Sequence, residues 1–366
     1  MKFYCNGLDL YDAVLKVIKA TAVKSTNPIF EGIKLSAEED VLTLTCTDGE
    51  LLIETTISAD VKIEGETVVP GKLFSDFLRK LSGEQIEITV DGSLMKLVYS
   101  DSEGFFQCLP ASDFIEPNNV DNFEWFELER KDLRDLINKT IFSVSTDDTR
   151  PMLKGCCFEV QDGILTVVAI DGFRMAMIKK PVSYSAEFSV VIPAKSLNEI
   201  AKFLDDKNQP VRVNVQRNYV LIEIDNTKIL SRRLDGQFIN YRNVLANNNF
   251  ETKVTASKEQ FEDAIERASL LARHEKNNSV KFVISNNTIT IKSSSNAGNI
   301  KENITVSMQG KDIEISVNAK FVLDVLHVIN EEFVNINFSS SIAPFTITST
   351  TGEEYTYLIL PMRNFD

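Results

Sequence analysis

Apolar residues along the chain follow two periods, a two-residue period typical of strands and a helical one. Two stretches with the shorter period meet at the turn signal Asp48-Gly49, and two more meet at Asp171-Gly172. Asp-Gly between alternating apolar runs is typical of a tight β-hairpin. Residues 289–306 repeat the pattern less regularly. The sequence therefore predicts three antiparallel hairpins.

After each predicted hairpin, a strand end runs into a short segment with helical spacing. The segments read VVPGKLFSDFLRKL, VIPAKSLNEIAKFL and SVNAKFVLDVLHVI, and a lysine starts each predicted helix: Lys72, Lys195 and Lys320. Residues three and four apart share a helix face. The expected apolar faces are Leu73, Phe74, Phe77, Leu78 and Leu81; Leu197, Ile200, Ala201 and Leu204; and Val322, Val325, Leu326 and Ile329.

A closing strand forms the third recurring feature, in FFQCLPASDF, KILSRRLDGQF and YTYLILPMRNF. The spacing between copies is regular, since Lys72 and Lys195 are 123 residues apart and Lys195 and Lys320 are 125 apart. Self-similarity at one period, with its features in one order, indicates repeated domains.

An amphipathic helix opens each repeat. The expected faces are Tyr11, Val14, Leu15 and Ile18; Leu133, Leu136, Ile137 and Ile141; and Phe261, Ala264, Ile265 and Ala268. Ser257 and Gln260 have the spacing of a capping box at the start of the third of these helices. We therefore predict an α+β fold of three tandem domains, each with two helices packed on antiparallel sheet, at residues 1–120, 121–249 and 250–366.

Composition places the chain among soluble globular proteins. It has 366 residues, of which 43% are apolar and 25% charged, and this length exceeds what one hydrophobic core usually serves. No apolar run reaches the roughly 18 residues of a membrane span, so we expect a cytoplasmic protein. The cysteines have no metal-binding spacing and fall in strand-like runs, which predicts reduced core thiols. They are Cys5, Cys46, Cys108, Cys156 and Cys157.

Charge is unevenly placed along the chain. The formal net charge is −14, which argues against a surface that binds nucleic acid everywhere. The predicted helices with their flanks hold 17 Lys and Arg and 13 Asp and Glu, whereas the remaining residues hold 22 and 40. The helices are therefore the basic layer of an acidic protein, although lysine-rich surface helices are common.

Catalytic patterns are absent from the sequence. Its two histidines, His274 and His327, have no partner pattern, and there is no phosphate loop, dinucleotide-binding turn, nucleophile elbow or H-E-x-x-H motif. We predict no catalytic residue, no metal site and no cofactor. A hydrolase built on two distant carboxylates stays open as an alternative, because such a pair leaves no local motif.

The ordered segments NPIFEGIKL, VVPGKLF, LPASDF, VAIDGFRMA, VIPAKSL, LDGQFINYRNVL and the ending YLILPMRNFD resemble the bacterial sliding clamp family, the β subunit of DNA polymerase III. The resemblance runs the full length of the chain. It implies three DNA-clamp domains per chain and a head-to-tail homodimer that forms a six-domain ring around duplex DNA. Such a ring is a non-catalytic processivity factor that tethers polymerases to DNA.

The implied partners are duplex DNA without sequence preference, the DNA polymerase III catalytic subunit, the clamp loader, and other polymerases and repair proteins. The proteins would bind through short apolar peptides, in a pocket between the second and third domains. The resemblance places the C-terminal run on one wall of this pocket and Gly172–Met175 on the opposite wall. The matching positions are Arg150, Leu153, Ile170, Gly172, Phe173, Arg174, Met175, Tyr241, Val244, Asn318, Phe321, Ile342, Leu358, Ile359, Leu360, Pro361, Met362 and Arg363.

Two further groups carry over by position. Lys24, Lys72, Arg150 and Lys195 match DNA-facing places in the family. Phe106, Leu270 and Leu271 match apolar positions of the dimer interface. The alternative within the class of binding proteins is a scaffold that keeps the clamp fold without being loaded onto DNA.

Overall fold

The computed structural model describes the whole chain except Val23, Ser82, residues 115–123, 206–208, 247–248 and 274–277, Glu353 and residues 363–366. It contains two compact units. The first unit comprises Met1–Arg130 and Lys202–Arg233, and the second comprises Lys131–Ala201 and Leu234–Asp366. The predicted second domain, residues 121–249, contributes strands to both units.

The elements follow the predicted order, since each repeat has a first helix, a hairpin, a second helix and a closing strand in that sequence. The helices are α1 (Gly7–Val17), α2 (Gly71–Leu78), α3 (Arg130–Asn138), α4 (Ala194–Ala201), α5 (Tyr241–Leu245), α6 (Lys258–Ala272) and α7 (Ala319–Leu326). The strands of the first half are β1 (Lys2–Asn6), β2 (Gly32–Glu38), β3 (Val41–Thr47), β4 (Leu51–Ser58), β5 (Asp60–Ile63), β6 (Gly65–Pro70), β7 (Gln85–Asp91), β8 (Leu94–Tyr99), β9 (Ser102–Gln107), β10 (Trp125–Glu129), β11 (Gly155–Gln161), β12 (Ile164–Ile170), β13 (Arg174–Pro181) and β14 (Phe188–Pro193). Those of the second half are β15 (Pro210–Val215), β16 (Tyr219–Ile224), β17 (Thr227–Arg232), β18 (Thr252–Ser257), β19 (Ser279–Ser285), β20 (Thr288–Ser295), β21 (Gly298–Thr305), β22 (Ser307–Gly310), β23 (Ile313–Asn318), β24 (Phe333–Phe338), β25 (Phe345–Thr348) and β26 (Tyr355–Ile359).

Two antiparallel sheets form the first unit. One has the order β5-β1-β7-β8-β9, and the other has the order β10-β15-β16-β17-β4-β3-β2-β6. The second sheet joins two repeats, because β4 of the first hairpin pairs with β17, the closing strand of the second repeat, with Leu52 opposite Leu230.

The second unit repeats this construction. Its larger sheet has the order β14-β11-β12-β13-β26-β25-β24-β18-β22, and its smaller sheet has the order β21-β20-β19-β23. Here β13 of the second hairpin pairs with β26, the closing strand of the third repeat, with Met175 opposite Leu358. The predicted α+β class with antiparallel sheets is confirmed.

All three predicted hairpins form, as β3–β4, β12–β13 and β20–β21. Gly49 and Gly172 adopt φ angles of 91° and 95° in the first two turns, a region that glycine enters without the steric cost of a Cβ. Asp48 and Asp171 close these turns, since each Oδ1 accepts hydrogen bonds from the backbone N–H groups two and three residues on. The Asp-Gly signal in the sequence therefore corresponds to a turn that is held by hydrogen bonds from backbone N–H groups to the aspartate side chain.

The apolar faces of the helices were predicted with mixed success. The face of α6, from Phe261 to Ala268, is fully buried as expected. The face of α1 was wrong, because Leu10, Val14 and Val17 are buried whereas Leu15 is exposed. This helix carries two overlapping apolar stripes, and its sequence does not say which one packs on the sheet.

Two smaller expectations concern the face of α2 and the start of α6. Leu73 is exposed, because Phe74 and Leu78, one turn apart, form the buried stripe of α2. Ser257 Oγ accepts a hydrogen bond from Gln260 N at 3.5 Å, which is the first half of the predicted capping box. The five cysteines are free and buried as predicted. Within the described residues, no helix is both long and apolar enough to cross a membrane.

Candidate functional site

A cluster of buried apolar residues in the second unit brings together five of the predicted pocket residues. Leu153, Ile170, Met175, Tyr241 and Leu358 pack with one another and with four further buried residues. Those four are Cys157, Val168, Met177 and Val191, and the partly buried Met152, Leu234, Phe238 and Leu245 pack against the cluster. The residues come from distant parts of the chain because β13 and β26 are paired in one sheet.

This pairing corrects the expected arrangement of walls. The C-terminal run and Gly172–Met175 were expected to face each other, but Arg174 pairs with Ile359 and Met175 with Leu358 in neighbouring strands. The contact continues past the strand, since Leu360 N donates to the Phe173 carbonyl at 2.9 Å. Opposite walls would need two sheets or a separate loop, whereas backbone pairing makes these segments one continuous floor.

Arg174 begins β13, next to Met175 of this floor, and is only 8% exposed. Its guanidinium donates to Asp171 at 2.9 Å, to Asp324 at 2.6 Å and to the Phe142 carbonyl at 2.6 Å. Its carbon Cζ also lies 4.5 Å from the centre of the Phe321 ring. A buried guanidinium needs such partners to compensate for the loss of water. Arg174 therefore holds β13, α7 and the segment before β11 together.

Exposed apolar side chains stand around this floor. Phe173 is 62% exposed and stacks on Phe321 with ring centres 6.4 Å apart. Leu360 is exposed and is joined to Phe173 through the backbone hydrogen bond, while Val244 is exposed on α5, the helix that gives Tyr241 to the cluster. Apolar side chains rimmed around a buried apolar floor are typical of a surface that binds another molecule.

Ile342 is the most exposed of the predicted pocket residues, at 83%. It lies in the connection between β24 and β25, and β25 is the strand that pairs with β26. Because this connection leads directly into β25, Ile342 lies near the C-terminal end of β26.

Tyr241 and Cys157 are held neutral in the floor. The Tyr241 hydroxyl is hydrogen-bonded to the Glu159 carboxylate, which also accepts from Arg242 at 2.7 Å. Burial, followed by the contact with Glu159, raises the pKa of Tyr241 well above its usual value. Burial raises the pKa of the Cys157 thiol to about 11. Neither group supplies a reactive anion near neutral pH.

The other predicted pocket residues have identifiable places. The Arg150 guanidinium lies against Gly172, where an added Cβ would stand 3.1 Å from Nη1. Asn318 caps α7 by accepting a hydrogen bond from Lys320 N at 2.9 Å. Ile359 is buried, Pro361 and Met362 are half-buried, and Met362 N donates to the Ser316 carbonyl at 2.8 Å. Arg363 and His274 lie outside the described residues.

Sequence reasoning missed the ion-pair partners of this site. Asp324, Asp171 and Glu159 are half-buried and hold Arg174, Tyr241 and Arg242 in place. One signal was present, since Lys320 and Asp324 have the i,i+4 spacing of a helical ion pair and lie 2.6 Å apart.

The predicted DNA-facing residues are exposed. Lys72 and Lys195 are the second residues of α2 and α4, as Lys320 is of α7, so the predicted lysine at each helix start is confirmed. Lys24 and Lys72 belong to the first unit, and Arg150 and Lys195 to the second.

The predicted interface residues differ in exposure. Phe106 is buried in the first unit, edge-on to Phe74 and Phe77 with ring centres 5.6 and 5.2 Å away. Leu270 on α6 is 57% exposed and Leu271 is half-buried. On the same helix Glu262 and Glu266 lie 3.3 and 3.6 Å from His327 Nε2, which explains the second histidine as part of an exposed polar group.

Comparison with known proteins covers the whole chain. Residues 1–118 match the N-terminal domain of the DNA polymerase III beta subunit, residues 127–240 its central domain and residues 243–363 its C-terminal domain. The beta sliding clamp of Halalkalibacterium halodurans is 33% identical over 365 residues, which covers 95% of this chain and 96% of the relative. That of Bacillus subtilis is 31% identical over the full length of both chains.

Solved structures agree with these sequence matches. The DNA polymerase sliding clamp from Bacillus subtilis superimposes with a TM-score of 0.97, at 30% identity and with full coverage of both chains. A sliding clamp from Pseudomonas aeruginosa bound to griselimycin gives a TM-score of 0.94 at 26% identity, again over all of both chains.

Proposed function

This chain belongs to the family of the DNA polymerase III beta subunit, the beta sliding clamps, and we propose that it acts by encircling duplex DNA and tethering a polymerase to it. In this role the chain is itself non-catalytic and works in the cytoplasm. Tethering raises processivity because a polymerase bound to the ring keeps a high effective concentration at the primer end.

The proposed ring is a head-to-tail homodimer of chains with three clamp domains, at residues 1–120, 121–249 and 250–366. We propose that Lys24, Lys72, Arg150 and Lys195 face the DNA. Contacts to phosphates carry no sequence information, so they let a closed ring slide. A gel-shift assay on nicked circular DNA with a clamp loader tests this proposal, because a scaffold that is not loaded would leave the DNA unshifted.

The proposed partner site is the floor around Arg174 with its exposed apolar rim. Its occupants are short apolar peptides of the DNA polymerase III catalytic subunit, the clamp loader, and other polymerases and repair proteins. The observation that carries this proposal is the exposure of Phe173 and Leu360 side by side above a buried apolar cluster. An apolar side chain that enters such a site removes both surfaces from water.

Deleting residues 360–366 tests the partner site. The deletion removes Leu360, Pro361 and Met362, and loss of a clustered apolar anchor typically costs about 2 kcal/mol, roughly a thirtyfold weakening of peptide binding. The measurement is a fluorescence-polarisation titration with a clamp-binding peptide from a polymerase. Sedimentation should still give a dimer, since the interface uses other residues.

A pair of matched substitutions makes the same test without truncation. Phe173→Ala should weaken the peptide, whereas Phe333→Ala, an exposed phenylalanine at the start of β24 in the same unit, should leave its affinity unchanged. Undiminished affinity in both the truncated protein and Phe173→Ala would overturn the assignment of the partner site.

The proposed dimer interface contains Phe106, Leu270 and Leu271. Replacing Leu270 and Leu271 together with glutamate should give folded monomers, because an unpaired charge buried in an interface costs roughly 2 to 5 kcal/mol. Leu15→Glu, at an exposed leucine on α1, serves as the control and should remain dimeric in sedimentation. A double variant that still sediments as a dimer would move the interface elsewhere.

A further inference from the structure

The partner site has a structural counterpart in the first unit. In both places a β-hairpin meets the closing strand of the next repeat, so β4 pairs with β17 as β13 pairs with β26. We call the β4–β17 contact the first junction and the β13–β26 contact the second junction. Leu230 faces Leu52 in the first junction as Leu358 faces Met175 in the second.

Backbone hydrogen bonds at the end of each closing strand extend this correspondence. Arg232 N donates to the Glu50 carbonyl at 2.7 Å, as Leu360 N donates to the Phe173 carbonyl at 2.9 Å. In both junctions, the backbone at the end of the closing strand is thus hydrogen-bonded to the tip of the hairpin. Glu50 therefore occupies the place of Phe173.

In both junctions a 3₁₀ turn leads into the strand that comes before the hairpin in the chain, β2 in the first junction and β11 in the second. The turns are Pro28–Glu31 before Gly32 and Pro151–Lys154 before Gly155. Phe30 in the first turn stands in sequence where Leu153 stands in the second. Because Leu153 belongs to the apolar floor of the second junction, Phe30 is the expected floor residue of the first.

The first junction has a cavity at this place. It has a volume of about 80 Å³, and its lining includes Phe30, Leu51, Leu52, Tyr219 and Leu230. Phe30, Leu52 and Tyr219 are half-buried, so the cavity opens to solvent. A Cβ added at Gly49 would meet only the Phe30 ring, at 3.7 Å, which leaves the hairpin tip uncrowded.

We propose that this cavity is a second peptide-binding site, which accepts one branched aliphatic side chain of an extended peptide. The proposal rests on the proposed partner site, whose backbone design it shares. The cavity volume favours a small side chain: an enclosed apolar cavity of about 150 Å³ holds benzene, and a space about half as large fits a leucine or valine side chain better than an aromatic ring.

The rim of the first junction makes it the weaker site. Glu50 replaces the exposed Phe173, so the peptide gains no aromatic contact at the hairpin tip. Burying one aliphatic side chain has to offset the loss of translational freedom of the whole peptide. The expected dissociation constant for a short probe is on the order of 1 mM.

Methyl NMR on the full chain tests this proposal. Leucine and methionine methyl groups are labelled, and acetyl-Leu-Leu-amide is titrated to roughly ten times the expected dissociation constant. Saturable shifts of the Leu51, Leu52 and Leu230 methyl groups are the expected result. Acetyl-Ser-Ser-amide should leave these signals in place.

A filled cavity provides the second arm of the experiment. Leu52→Phe adds ring volume at the half-buried lining position and should abolish the shifts of Leu51 and Leu230. Leu94→Phe, at an exposed leucine in the same unit, should bind as the parent chain does. Shifts that persist unchanged in Leu52→Phe would overturn the proposal.

Separate reporters distinguish this proposal from the proposed function. Met175 and Leu358 report the second junction. Shifts of the Met175 and Leu358 methyl signals alone would overturn the proposed second site but would not contradict the proposed partner site. Shifts at Leu51, Leu52 and Leu230 alone would support the second site and count against the partner site.

Discussion

The two junctions share a backbone and differ in what they place on it. Directly after the hairpin turn, the first junction has Leu51, which is 1% exposed, and the second has Arg174, which is 8% exposed. Leu51 needs only apolar neighbours, whereas Arg174 requires Asp171, Asp324 and a backbone carbonyl. A repeated hairpin can therefore be kept by apolar packing in one copy and by buried ion pairs in another.

The difference extends to the rim, where Phe173 is exposed in the second junction and Glu50 in the first. An exposed aromatic residue above a buried cluster provides contact area for a partner. A carboxylate at the same place favours water. The same fold thus supports one junction with a broad apolar surface and one with a small cavity.

The largest expected effect comes from making the second junction resemble the first. Arg174→Leu leaves the Asp171 and Asp324 carboxylates without their guanidinium, and removal of one partner from a buried ion pair costs roughly 3 to 5 kcal/mol. Hydrogen exchange of the β13 and β26 amides measures this loss locally.

A compensating variant provides the control. Arg174→Leu combined with Asp324→Asn removes one of the two carboxylates that lose the guanidinium. It should recover part of the protection of the β13 and β26 amides from exchange, although Asp324 also pairs with Lys320. Equal exchange rates in the single variant and the parent chain would show that the ion pairs do not hold the second junction.

Truncating the paired leucines should give a smaller and unequal effect. Leu358→Ala and Leu230→Ala remove the same atoms, and such changes cost about 2 to 5 kcal/mol in a core. We expect Leu358→Ala to cost more, because Leu358 is packed within the apolar cluster whereas Leu230 already borders a cavity. Hydrogen exchange in β26 and β17 gives the two costs. A larger loss at Leu230 would contradict the comparison.

The smallest effect concerns the turn that the junctions share. Asp48→Ala removes two hydrogen bonds to the N–H groups of Glu50 and Leu51, with a net cost of about 1 kcal/mol. Asp171→Ala removes the equivalent pair and also a carboxylate partner of Arg174, so it should cost more. Asp48→Asn keeps the accepting oxygen and serves as the control. Equal thermal shifts for the two alanine variants would show that Asp171 acts only through the turn.

The burial and the ion-pair partners of two arginines could not be predicted from the sequence. Arg130 is the first residue of α3, one of the helices expected to form the basic layer, but its side chain is 1% exposed and pairs with Asp205 and Asp225 at 2.8 and 2.6 Å. Arg174 was placed in the partner site by resemblance, but its partner Asp324 lies 150 residues away. Local periodicity carries no information on pairs so distant, because each residue alone is an ordinary surface charge.

The sequence by itself determined the repeated elements, including the Asp-Gly turns, the lysine at each of three helix starts and the buried face of α6. These features follow from local spacing and turn chemistry, which act within a few residues. Only the tertiary structure decided that β13 and β26 lie side by side, which stripe of α1 is buried and where Arg174 finds its partners. Strand order and helix docking depend on contacts between segments far apart in the chain, and several arrangements satisfy the same local pattern.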